Sequence, residues 1–87
     1  MSSVHEAITS HTRKMHSHLE VFQQLDQQRE EAIEHVISLC TSGQPYTIDA
    51  INRITASINE HAKHGISPTR PYVTTSMVEQ YVNRTSH

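Results

Sequence analysis

Neither glycine nor proline occurs between Met1 and Ser42. These are the residues that most readily end a helix, one by its backbone freedom and the other by its missing N–H and ring clash. A stretch this long without either is permissive for one continuous helix. Its apolar residues support that reading. Val4, Ile8, His11, Met15, His18, Phe22, Leu25, Arg29, Ala32, Val36 and Leu39 recur by alternating steps of four and three. That spacing keeps side chains on one stripe of a helix. Eight of these eleven positions are apolar, and Leu19, Ile33, Ile37 and Cys40 widen the stripe. Arg13, Gln24, Gln27, Gln28, Glu31 and Glu34 fall on the opposite face. Gln23 to Glu34 is rich in strong helix formers. Thr9-Ser10-His11-Thr12 is the weak point, because short polar side chains compete for backbone hydrogen bonds, and a kink there is one option.

Two breaks follow, each with glycine before proline: Thr41-Ser42-Gly43-Gln44-Pro45 and Gly65-Ile66-Ser67-Pro68-Thr69-Arg70-Pro71. Glycine just past a helix takes a left-handed conformation without penalty, and proline then blocks continuation. Three helices are therefore predicted, over about 3–40, 48–64 and 75–84. In the second, Thr47 is the expected N-cap and Asp49 suits the dipole of the first turn. Ile48, Ile51, Ile54 or Thr55, Ile58 and Ala62 form its apolar stripe, and Gly65 is its expected stop. The third has two possible starts. Thr74 as cap would pair Val73 with Val78 in a hydrophobic staple; Ser76 as cap would form a capping box with Glu79. Met77, Val78, Tyr81 and Val82 supply its apolar face. No stretch alternates with period two, so no sheet is expected. The fold class is all-α: residues 1–87 as a single antiparallel helical bundle, one long N-terminal helix and two shorter C-terminal ones.

Composition makes such a domain lean. Leu, Ile, Val and Phe account for 18 of 87 residues, near the level of about 20% where disorder sets in. A formal net charge of −2 gives little self-repulsion, so the chain can still collapse. One cysteine cannot make an internal disulfide, which leaves a helical core, a second chain or a metal as stabilisers. Geometry favours the second chain. A first helix of about 57 Å outruns the roughly 42 Å of helix available to cover it. An uncovered apolar stripe is commonly an interface. Self-association is expected through Val4, Ile8, Met15 and Phe22, with a twofold dimer as its leading form.

The eight histidines raise two further possibilities. His61 and His64 stand three apart and could offer two metal ligands, but no matching third and fourth ligand is visible, and solvated cations at a helix C-terminus are the plainer reading. No cofactor is expected. His11 and His18 lie on the apolar seam. Protonating all eight histidines would move the net charge from −2 to +6, so association is expected to weaken between about pH 7 and pH 5. His16 with Glu20, and Glu31 with His35, have the spacing of solvated pairs.

Catalysis finds little footing. Cys40 lies near a helix C-terminus, where the dipole disfavours a thiolate, and reads as a small core or interface residue. Two glycines cannot build a phosphate loop. No serine sits in an elbow motif. The protein is expected not to be an enzyme. A DNA-binding reading would use Ser76, Glu79, Gln80, Asn83 and Arg84 of the third helix, but Lys and Arg are sparse and the connection from Gly65 to Val73 is too long for a helix-turn-helix. No nucleic-acid or membrane partner is expected: neither half of the chain is strongly basic, and no apolar run of about 18 residues exists. The first residues lack the pattern of a signal peptide. With one cysteine, this points to the cytoplasm.

In two runs, Val4-His5-Glu6-Ala7-Ile8-Thr9-Ser10-His11 and Leu25-Asp26-Gln27-Gln28-Arg29-Glu30, the chain resembles the YpbS-like proteins, a small family of Bacillus-type bacteria. The resemblance covers nearly the whole chain. It implies a cytoplasmic bacterial protein with no assigned activity, and it transfers no site residues. The sequence thus reads as a helical interaction or regulatory module, with a metal-binding module on His61 and His64 as the rival.

Overall fold

A computed structural model describes residues 2–85, with side chains from Arg13 to Thr85. The side chains of Val4, Ile8 and His11 lie outside the described residues. Three helices occur in order, α1 (Ser2–Thr41), α2 (Asp49–Ala62) and α3 (Thr75–Thr85), and no strand is found among the described residues. The fold class is all-α, as the periodicity predicts. α1 is continuous through Thr9–Thr12, so the backbone does not break at its weakest stretch.

α1 stops as its punctuation predicts. Gly43 has φ 72°. Its N–H donates to the Cys40 carbonyl at 3.1 Å, and the Gln44 N–H donates to Leu39 at 2.9 Å. These two bonds are the Schellman pattern, which satisfies carbonyls left over at the helix end.

The other helix ends correct the sequence reading. α2 spans 49–62 rather than 48–64, and Ile48, not Thr47, holds the cap position, with no side-chain capping bond. Ile48 is half-buried against the core, so packing of its side chain rather than capping by the neighbouring hydroxyl sets this start. Gly65 is not a left-handed stop, since Gly43 is the glycine with positive φ. It is needed for close approach: a Cβ there would lie 2.7 Å from the His18 ring. At α3 the staple is realised. Thr74 Oγ1 accepts the Met77 N–H at 3.2 Å, and Val73 and Val78 are both buried in one cluster. Ser76 faces Gln80 instead of boxing with Glu79.

Both shorter helices pack on α1. Arg29 of α1 reaches Thr55 of α2, and His18 reaches His61. Later positions of α2 thus meet earlier positions of α1, so the two run in opposite directions. The core joins Val36, Ile51, Val73 and Val78, flanked by Ala32, Ile33, Cys40, Tyr46 and Val82. Ile58 is also fully buried. The polar face predicted for α1 is exposed throughout. The molecule measures 63 × 21 × 16 Å with a radius of gyration of 18.0 Å, against about 12 Å for a compact chain of this length. The elongation is that of α1, about 60 Å long.

The corrected caps give an expected outcome in chemical denaturation. Thr74→Ala should cost about 1 kcal/mol, whereas Thr47→Ala should stay within about 0.5 kcal/mol. Equal costs would show that Thr47 caps α2 after all.

Candidate functional site

The most elaborate side-chain arrangement lies along the segment between α2 and α3. Residues 63–74 contain no helix and, from Ser67 on, run back along the other two elements. A non-helical segment carries backbone N–H and C=O groups that need partners. Two asparagines of α2 supply them. Asn59 Oδ1 accepts the Arg70 N–H at 2.8 Å while its Nδ2 donates to the Arg70 carbonyl at 3.0 Å. Asn52 repeats this at Val73, with 2.8 and 2.9 Å. The spacing is physically matched. Seven helical residues rise about 10.5 Å, and three extended residues span about 10 Å. One face of α2 can therefore read an extended chain like a strand edge.

α1 holds the same segment from the other side. Arg70 Nε donates to Asp26 Oδ1 at 2.9 Å and Nη2 to Oδ2 at 3.3 Å. The guanidinium lies 5.1 Å from the centre of the Phe22 ring. Phe22 is thus half-buried within its own chain. The bond to Asp26 holds Arg70 more firmly protonated than an ordinary arginine, against a smaller opposing effect of burial. Arg29, a polar residue on the apolar seam, donates to Thr55 Oγ1 and to the Pro71 carbonyl, both at 2.9 Å. Thr55 is fully buried, and its hydroxyl donates a hydrogen bond to the Ile51 carbonyl at 2.9 Å. No buried side-chain nitrogen or oxygen among the described residues lacks a partner.

His18 and His61 close the far end of this clamp. Their rings stack with centroids 3.7 Å apart and planes 17° from parallel. His61 Nε2 lies 2.7 Å from the His18 carbonyl oxygen. A carbonyl only accepts, so His61 Nε2 carries the proton. His18 Nε2 lies 3.1 Å from Ser67 Oγ. His18 of the seam thus serves a contact within the chain. His64 lies 3.6 Å from Glu60, with its side chain 70% exposed, while His61 is held by the His18 ring and carbonyl. No group of three or more His, Cys, Asp or Glu suited to an ion occurs among the described residues. His16 pairs with Glu20 at 3.1 Å, as its spacing predicts, and Glu31 accepts from Gln27 Nε2 at 3.5 Å.

The helix-turn-helix alternative fails on geometry. The segment joining α2 and α3 is twelve residues long and clamped, and each helix packs on α1. Cys40 is half-buried against the core beside Tyr46, whose hydroxyl is pushed up by burial first and by the Cys40 side chain second. Sequence reasoning missed Asp26, Asn52, Asn59 and Arg70. The one signal available was the heptad spacing of the two asparagines within a helix that does not favour them.

Two outcomes follow. Asn52→Asp replaces an amide donor facing the Val73 carbonyl with a carboxylate, and should cost about 2 kcal/mol in denaturant unfolding. The second concerns pH. Burial first, then charge on His61 and His64, holds His18 below its ordinary 6.5. The unfolded chain then binds more protons than the folded one between that lowered value and 6.5, so stability rises with pH through this window. Thermal unfolding should move to lower temperature as pH falls from about 7.5 to about 5.5, and His18→Gln should flatten that slope. Glu60, lowered by Lys63 and then His64, acts below 4.5 and does not overlap the window.

Comparison with known proteins agrees with the resemblance of the two sequence runs. A protein of Bacillus subtilis (strain 168) described as "Uncharacterized protein YpbS" is 49% identical over 84 residues, covering 97% of this chain and 99% of its own. No solved structure matches significantly. A family model described as "Protein of unknown function (DUF2533)" matches residues 2–84. The chain, from its long helix through the clamped segment to α3, belongs to the DUF2533 family.

Proposed function

We propose that this protein is a cytoplasmic, non-enzymatic helical interaction module that works as a homodimer through the N-terminal part of α1. One observation carries the reading. Among the described residues, the hydrogen bonds and ring contacts of α2 and the turn after it with α1 end at His18, where His61 and Gly65 make contact. α1 continues beyond that level to Ser2. Met15 and Leu19 lie at this boundary, Met15 half-exposed and Leu19 37% exposed. The sequence periodicity extends the same stripe through Ile8 and Val4. Apolar surface left uncovered by its own chain favours association.

The reading as a binding module rather than a catalyst rests on how the reactive groups are used. His18 and His61 are committed to each other, to a carbonyl and to Ser67. Arg29, Arg70 and Asp26 are committed to the clamp. No helix among the described residues is long and apolar enough to cross a membrane.

Sedimentation equilibrium tests the proposal. The wild type should have the mass of a dimer. Ile8→Asp and Met15→Asp should each shift it towards the monomer, because a buried unpaired charge is costly. A wild type that stays monomeric at every concentration would sink the reading.

A further inference from the structure

Building on the self-association proposed above, we infer that each copy lays the N-terminal part of its α1 into the groove between α1 and α3 of the other copy. This groove has a volume of about 370 Å³ and opens beside the core. Ile33, Ile37, Met77 and Tyr81 form its apolar floor and wall. Met77 is 45% exposed and Tyr81 51%, unusually open for side chains of this size. Glu30 and Glu34 line it and are exposed. Arg29 also lines it, but its guanidinium is turned inward to Thr55 and Pro71. The groove therefore presents apolar surface with an acidic rim.

Its complement is present in the same chain. Along residues 1–18, Arg13 and Lys14 against Glu6 leave a net +1, with four histidines besides. Along residues 19–43, Glu20, Asp26, Glu30, Glu31 and Glu34 against Arg29 leave a net −4. α1 is thus a helix with a basic first part and an acidic second part. Two such helices attract when laid antiparallel and repel when parallel. The apolar register agrees with the charges. Setting Met15 of one copy opposite Ile33 of the other also brings Lys14 to the level of Glu34 and His11 to the level of Ile37. Arg13 and Lys14 are exposed and available. An antiparallel pair is twofold by construction, so both grooves are filled and the assembly closes at two copies.

Charge exchange tests this placement. Lys14→Glu and Glu34→Lys should each weaken the dimer by about tenfold, since two like-charged pairs replace two opposite ones. The double variant, K14E with E34K, should regain most of the wild-type affinity. Glu31→Lys, the same charge change at an exposed residue of α1 that does not line the groove, should leave the affinity within about twofold. Helical circular dichroism checks that all four variants are folded. A wild-type dimer indifferent to the exchanges, or weakened equally by Glu31→Lys, would overturn the groove as docking site while leaving self-association standing. A monomeric wild type would overturn both.

Discussion

The fold depends on an extended segment whose backbone is satisfied by side chains. Between α2 and α3 the chain must return along α1 without a helix of its own, and it has no strand to pair with. An unpaired peptide group there would cost on the order of 1–3 kcal/mol. Asn52 and Asn59 remove that cost at Val73 and Arg70, and Arg29 removes it at Pro71. The match between two helical turns and three extended residues lets both asparagines work at once. Without this clamp α3 would have no fixed starting point, because Val73, the first half of its staple, is placed by Asn52.

The clamp also explains how so lean a chain holds together. Five apolar side chains are buried among the described residues: Val36, Ile51, Ile58, Val73 and Val78. At about 1.5–3 kcal/mol each, they form a small core for three helices. Polar groups extend the attachment where apolar ones are missing. Arg29, Asp26 and His18 tie α1 to both partners along a line that would otherwise be covered only by Phe22 and its neighbours. Two of the seam's polar positions, His18 and Arg29, which look like defects in an apolar stripe, are the points where α1 is cross-linked to the rest.

That arrangement shows why some features were legible in the sequence and others were not. Periodicity and punctuation are local, and they carried the three helices, the Gly43 stop and the Thr74 staple. Gly65 carried the same local signature as Gly43, yet its reason is distant: the His18 ring, 47 residues away in the chain, occupies the space a Cβ would need. Thr47 is a better cap than Ile48 by chemistry, but Ile48 has a core to fill. His61 and His64 share the spacing of a ligand pair, yet His61 stacks on His18 of α1 while His64 lies beside Glu60. The asparagine clamp was hard to read for the same reason, with the seven-residue spacing of Asn52 and Asn59 as its one mark. Its partners are backbone groups, which every residue possesses and no sequence pattern marks.

Placing His18 at the end of the covered part of α1 has a consequence for how the two halves of the helix communicate. Among the described residues it is the seam position nearest the N-terminus with a hydrogen bond or ring contact to α2 and the segment after it. A proton on His18 sets charge against His61 in a stack 3.7 Å across, beside His64 and the basic Arg13 and Lys14. The contact that a proton on His18 weakens is therefore one that joins α1 to α2 and the segment after it. In the proposed dimer, a helix anchored there would present its stripe at a defined angle to the groove of a second copy. Released there, it would lose that orientation while Val36, Ile51 and the asparagine clamp stayed in place. Folding stability and the proposed association would thus draw on different parts of one helix, joined at a single histidine.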